Sequence, residues 1–162
     1  MKSVRLVAHA QPLVDDDIPD PALASGAVRV AIKAAGICHS DAHYRAGRGG
    51  SDRIRRTLGH EIAGEVIERG RGVTTHKAGG RVCLHYVLSC GVCAHCARGD
   101  EQFCVSYGML GSTVDGGFAE QIVVPARNAV HLPESVPYAQ GDHDVLVRDC
   151  ASRVAARACG SG

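Results

Sequence analysis

Apolar and polar side chains alternate along much of this chain with a period of two. Over residues 26–36, Val28, Val30 and Ile32 fall on one side while Arg29 and Lys33 fall on the other. That is the pattern of a strand with one face in a core and the other in water. A second run, 61–68, combines Ile62, Ala63, Val66 and Ile67 with Gly64, and a third sets Val82, Leu84, Tyr86 and Leu88 on one side. A fourth, 118–124, stops at Pro125 and is soon followed by 129–132. Short strands separated by Gly and Pro predict a mainly β fold, a barrel or a sandwich. Helical periodicity is scarce. The one clear candidate is 40–46, with Ser40 as N-cap and Gly47 as its stop.

A chain of 162 residues has room for one domain with a sizeable core. Its 45% hydrophobic and 22% charged residues are those of a soluble globular protein. The 18 basic and 17 acidic side chains nearly cancel, which argues against an electrostatic nucleic-acid binder. No apolar run is long enough to span a membrane, so no membrane partner is expected. The first ten residues lack a continuous apolar stretch and run on into Asp15, Asp16 and Asp17, unlike a signal peptide. A cytoplasmic location is the expectation.

The cysteines change the picture most. Of eight, Cys90, Cys93, Cys96 and Cys104 crowd into one short segment with two-residue gaps between the first three. In a chain without a secretory signal, such spacing reads as metal ligation and not as disulfides. Four thiolates close a tetrahedral shell around Zn²⁺ and leave no open position, which makes the site structural. Gly91 and Gly99 supply turns between the ligands. The competing iron–sulfur reading fits less well. The ferredoxin run has three residues before its fourth Cys and a Pro after it; here seven residues intervene and Val105 follows. His95 lies inside the loop, where a complete shell leaves it as a solvated surface histidine.

A second, more dispersed cluster pairs Cys38, just after one predicted strand, with His60, just before another. A catalytic zinc needs about three protein ligands and one open position, and a thiolate with an imidazole suits it. Either residue alone would read as an ordinary core side chain. Together, upstream of a four-cysteine site, they point to metal.

The stretch Gly59-His60-Glu61-x2-Gly64-x5-Gly70-x2-Val73 resembles the zinc signature of the medium-chain alcohol dehydrogenases. Gly36-Ile37-Cys38-His39-Ser40-Asp41, Gly116-Gly117-Phe118-Ala119-Glu120 and the downstream four-cysteine lobe, about residues 88–106, are similar too. The likeness runs from about Val4 to Gln140. It implies a GroES-like, mainly β barrel with a protruding zinc lobe and few short helices. It also implies one structural and one catalytic Zn²⁺, and oxidation of small alcohols to aldehydes or ketones with NAD or NADP in a homo-oligomeric complete enzyme. By resemblance, Cys38 and His60 are catalytic-zinc ligands, and Glu61 lies next to the metal as a neighbour or alternating ligand. Asp41 would receive the ring N–H of His60. Ser40 would take the alcohol proton, His43 would pass it to solvent, and His39 would contact the cofactor pyrophosphate. A polyol or amino-alcohol dehydrogenase of the same superfamily and a non-catalytic zinc-binding remnant are the other readings. One departure is Gly79-Gly80-Arg81-Val82, where the family has Gly-Asp-Arg-Val; it is expected to loosen a turn without touching a ligand.

No Gly-x-Gly-x-x-Gly run follows a strand, so the nucleotide-binding βαβ module is expected to be missing and the chain inactive alone. The family's third catalytic ligand is expected near position 146, where Leu146 cannot ligate, and Cys150 comes four residues later. Back-translated with permitted codons and read one base along, the tail yields a cysteine across codons 145 and 146. Residues 1–140 are read as the domain and 141–162 as an aberrant tail, with a frameshift near Gln140 as the favoured origin and a naturally short or truncated domain as the alternative.

Overall fold

The computed structural model describes residues 1–49 and 54–141. Its strands are β1 (Lys2–Leu6), β2 (Val14–Asp17), β3 (Ala27–Gly36), β4 (Arg56–Thr57), β5 (Glu61–Arg69), β6 (Arg81–Leu84), β7 (Val87–Leu88), β8 (Gly108–Met109), β9 (Gln121–Pro125) and β10 (Ala129–His131). Two short helices, α1 (His39–Arg45) and α2 (Ala94–Arg98), interrupt them. The main sheet is antiparallel, in the order β10-β6-β5-β3-β9. The register of β3 on β5 shifts between Arg29 and Val30 and again between Ile32 and Ala34. Such bulges bend a strand and sharpen its twist, and the sheet curls into half of a barrel. A second sheet, β2-β1-β4, is joined to it where Val4 N–H donates to Phe118 O (2.7 Å) and Glu120 N–H to Lys2 O (3.1 Å).

The alternating positions pack as their period demands. Val28, Val30, Ile62, Val66, Val82, Leu84, Ile122 and Val124 form the core, and Ile32, Tyr86 and Leu88 lean against it. On the other face of β5 and β6, Ala63 and Cys83 meet Val130 and Leu132 in a smaller cluster. That second layer explains why 61–66 reads as a nearly continuous apolar run: both faces of β5 are covered.

Several expectations shift by small, explicable amounts. The third apolar run is broken into β6 and β7. The Asn128 side-chain amide donates to His85 O (2.9 Å) and Val87 O (2.7 Å), and His85 N–H donates to Asn128 O (2.8 Å). A buried side chain thus satisfies the backbone where the ladder stops. Helix α1 starts one residue before the expected N-cap: Cys38 caps it, because the Asp41 carboxylate accepts the Cys38 N–H at 3.0 Å. Strand β2 was illegible because Asp15, Asp16 and Asp17 fill it; ion pairs to β1, Lys2 with Asp17 (2.5 Å) and Arg5 with Asp16 (3.4 Å), make it compatible with pairing. The Gly79-Gly80 turn is not loose. Gly79 N–H donates to Val66 O (2.8 Å) and Val66 N–H to Gly80 O (2.9 Å), so the main chain of β5 holds it. The expected change of character after Gln140 falls on residues 142–162, which lie outside the described residues, apart from Gly141.

Gly64 sits opposite Ile32 at the second bulge, where a Cβ would lie 2.2 Å from the carbonyl oxygen of Ala31. Backbone cannot yield as a side-chain tip can. Gly64→Ala is expected to lower unfolding free energy by about 2 kcal/mol or more, as overpacking does. Urea denaturation followed by circular dichroism measures it, and unchanged stability would refute the close approach.

Candidate metal centres

The four-cysteine segment leaves the barrel through β7 and returns through β8, which pair Val87 with Met109 and Leu88 with Gly108. Cys93 caps α2, Cys96 lies within it, and Cys104 follows a 3₁₀ turn at Glu101–Phe103. The sulfurs converge: Cys93 to Cys96 is 3.5 Å, Cys90 to Cys96 3.9 Å and Cys93 to Cys104 4.0 Å. Tetrahedral zinc with Zn–S bonds of about 2.3 Å sets its sulfurs about 3.8 Å apart. The spacing suits one ion, not the several-atom body of an iron–sulfur cluster.

Backbone donors prepare the sulfurs for that ion. Cys90 N–H points at Cys104 Sγ (3.2 Å), Cys93 N–H at Cys90 Sγ (3.4 Å) and Ser106 N–H at Cys104 Sγ (3.3 Å). The N–H groups of Cys96 and Val105 draw the Cys93 thiol down to about 6, while burial pushes Cys96 up to about 11. Four adjacent thiolates need a cation to stay deprotonated together. The cluster fits a structural zinc.

The lobe is latched to the barrel by a residue the sequence did not single out. Arg127, in the turn after β9, donates to the carbonyl and to the hydroxyl of Ser89. Gly91, at φ +76°, makes room for it, since a Cβ there would fall 1.7 Å from Arg127 Nη1. His95 is not fully solvated as expected. It is half-buried, its ring 6.2 Å from that of Phe103, and Arg98 Nη2 lies 3.2 Å from its Nδ1.

The second cluster lies where β3 ends and β5 begins. Gly36 pairs with Glu61, so Cys38, two residues past one strand, and His60, one residue before the other, meet at the same edge. One ligand atom from each of Cys38, His60 and Glu61 lies within 4.8 Å of the other two, and His60 and Glu61 are buried. The buried carboxylate of Asp41 ties the two turns together. Its Oδ2 accepts the Cys38 N–H and its Oδ1 the Gly59 N–H, each at 3.0 Å. Oδ1 is also 3.7 Å from His60 Nδ1. That is an ion-pair distance and longer than the hydrogen bond the resemblance implies. With Nδ1 on the Asp41 side, Nε2 is the nitrogen left for a metal.

The local charges lean toward ligation. The Ser40 N–H draws the Cys38 thiol below its ordinary range against the effect of burial. Burial pushes the Asp41 carboxyl upward, but His60 and the N–H groups of Cys38 and Gly59 outweigh it and hold it low. Asp41 in turn raises His60 despite desolvation. Ser40 Oγ is 3.7 Å from Cys38 Sγ, at the rim of the cluster. His39 and His43 are exposed on α1, their rings 6.1 Å apart. Tyr86, which the alternation placed only in the core, also turns its ring edge to His60, with centroids 5.6 Å apart and planes at 69°.

A curled antiparallel half-barrel with a four-sulfur lobe, and a thiol–imidazole–carboxylate cluster at one edge, is the architecture of a domain with two candidate metal centres. The alcohol dehydrogenase GroES-like domain matches residues 24–134, and the chain belongs to that family. It is 41% identical over 133 residues to an NAD-dependent alcohol dehydrogenase of Sulfurisphaera tokodaii, covering 77% of this chain and 38% of the relative. It is 42% identical over 115 residues to an L-threonine 3-dehydrogenase of Streptomyces coelicolor, covering 69% of this chain and 34% of the relative. A cobalt- and zinc-bound thermostable alcohol dehydrogenase from Pyrobaculum aerophilum superimposes with a TM-score of 0.74 at 33% identity, over 81% of this chain and 40% of that one. The chain thus spans about two fifths of the length of the proteins it matches. Among the described residues, no helix is long and apolar enough to cross a membrane.

Zinc-loaded protein is expected to keep close to one equivalent after mild chelation, held by the complete four-sulfur shell, and to release a second more readily. Cys93→Ser should remove the tight equivalent and unfold the lobe, because metal binding there is folding energy. Elemental analysis reads both, and iron in place of zinc would overturn the assignment. Asp41→Ala should weaken the second equivalent by about 10–100-fold, as loss of a ligand's supporting carboxylate does, and leave the first untouched.

Proposed function

We propose that this chain is the metal-bearing part of a zinc-dependent dehydrogenase that oxidises small alcohols with NAD(P). Cys38, His60 and Glu61 are its catalytic-zinc ligands, and Cys90, Cys93, Cys96 and Cys104 hold its structural zinc. The observation that carries the reading is convergence. Two strands and one buried carboxylate bring a thiol, an imidazole and a carboxylate together at the barrel edge, beside a hydroxyl. When bound, Zn²⁺ supplies Lewis acidity to the substrate oxygen, and NAD(P)⁺ supplies the hydride acceptor.

The chain's own groups have the remaining tasks. Asp41 fixes Cys38 and His60 in place. Ser40, beside the Cys38 sulfur, accepts the proton of the alcohol. His43, three residues on along α1 and exposed, carries it to water. His39 is exposed at the start of the same helix, and its role in this reading is to meet a cofactor phosphate. Likeness to the L-threonine 3-dehydrogenase favours a 2-amino alcohol as a second reading of the substrate.

The test joins residues 1–140 in frame to the nucleotide-binding part of the Sulfurisphaera relative and supplies zinc, alcohol and NAD⁺. Alcohol-dependent NADH formation is expected, reduced about 10²–10⁴-fold in Ser40→Ala, the usual contribution of a positioned proton acceptor. Ser40→Ala with full activity would remove Ser40 from the pathway. A zinc-loaded, folded but inert chimera would favour a binding remnant.

A further inference from the structure

Helix α1 presents two imidazoles one turn apart. His39 and His43 are related as i and i+4, which puts them side by side on one helix face. Both are exposed, and among the described residues neither ring has a hydrogen-bond partner; the contact each makes is with the other. Their centroids are 6.1 Å apart and their planes are inclined at 41°. A metal bound to imidazole at about 2.0–2.1 Å lies about 3.2 Å from the ring centre, so two rings at the roughly 90–109° angle of an octahedral or tetrahedral ion stand about 4.5–5.2 Å apart. The observed separation is wider by about 1–1.6 Å, a gap that rotation of two exposed side chains closes. Two histidines at i and i+4 on a helix are a known zinc-ligating arrangement.

We propose that His39 and His43 form a two-imidazole site for a borderline divalent transition-metal ion, with water completing the shell. Its ligands belong to neither the four-cysteine cluster nor the Cys38–His60–Glu61 cluster. Among divalent ions its preference follows the general order in which Ni²⁺ and Cu²⁺ bind nitrogen donors more tightly than Mn²⁺ or Co²⁺. Site and selectivity rest on helix geometry and not on the proposed reaction. If that reaction also holds, an ion here would occupy the groups meant for cofactor contact and proton release, making such ions inhibitors.

The test titrates the zinc-loaded full chain with Ni²⁺, which does not oxidise thiolates, by calorimetry. One Ni²⁺ equivalent is expected, weakened at least tenfold in both His39→Asn and His43→Asn and unchanged in His131→Asn. A further variant, Arg45→His combined with His39→Ala, keeps two histidines on the helix but sets them two residues apart on opposite faces, and should lose the equivalent. Zinc content and circular dichroism confirm that each variant is folded. Wild-type affinity in either Asn variant, or in the shifted pair, would overturn the site.

Discussion

The pairing of β3 with β5 governs everything else in this domain. Its register runs from Val28 opposite Arg69 to Gly36 opposite Glu61, and the two strands carry both the core and the cluster at its edge. Val28 and Val30 on one strand, with Ile62 and Val66 on the other, fill the barrel. Because their last pair is Gly36 with Glu61, the residues just beyond, Cys38 and His60, leave the sheet at the same point. A slip of one residue would turn Val28 and Val30 toward water and separate Cys38 from His60, so hydrophobic burial itself specifies the ligand geometry. The bulge at Ile32–Ala34, and the absent side chain of Gly64 that permits close approach there, allow the strands to curve without losing that register.

Asp41 extends this constraint beyond the sheet. A buried carboxylate with a single partner would be costly, but this one accepts two backbone N–H groups and faces an imidazole. Each interaction comes from a different piece of chain: the cap of α1, the turn before β5, and His60. The carboxylate stays ionised because all three are present. Burial that would otherwise destabilise it strengthens its hold on Cys38 and His60. The lobe solves the same problem with sulfur: its donors are backbone N–H groups and its counter-charge must be a cation.

How much could be read from the chain alone follows from how local each determinant is. Alternation exposed β3, β5 and β6, since a half-buried strand writes its faces directly into sequence. The four-cysteine lobe was equally plain, because its ligands lie within one short segment. Cys38 and His60 were legible only as a pair whose types suit zinc, with the family resemblance supplying Asp41 and Ser40. What escaped was set by tertiary partners. Asn128 breaks the third strand by bonding to His85 and Val87, Arg127 pins Ser89, and Tyr86 faces His60 as well as the core. None of these carries a periodic or spacing signature. Strand β2 was hidden for the opposite reason: its acidic residues oppose strand formation until Lys2 and Arg5 stand across from them.

Under the proposed function, the two candidate metal clusters divide holding a fold from doing chemistry. Four thiolates around a dication complete its shell and its hydrogen bonds, so the lobe gains stability but offers nothing to a substrate. In the proposed function, a Cys38 thiolate, a neutral His60 imidazole and a Glu61 carboxylate would contribute two negative charges, which neutralise a dication with only three donors and leave one position for an oxygen ligand. The resemblance expects a further ligand near position 146. Leu146 and Cys150 lie outside the described residues, so the described donor set closes on Glu61. A carboxylate, unlike a third thiolate, is a hard donor, and in the proposed function Glu61 would be the exchangeable member of the set. Glu61 is buried at the first residue of β5. The strand pairing that builds the core therefore also fixes the backbone from which this third candidate donor projects.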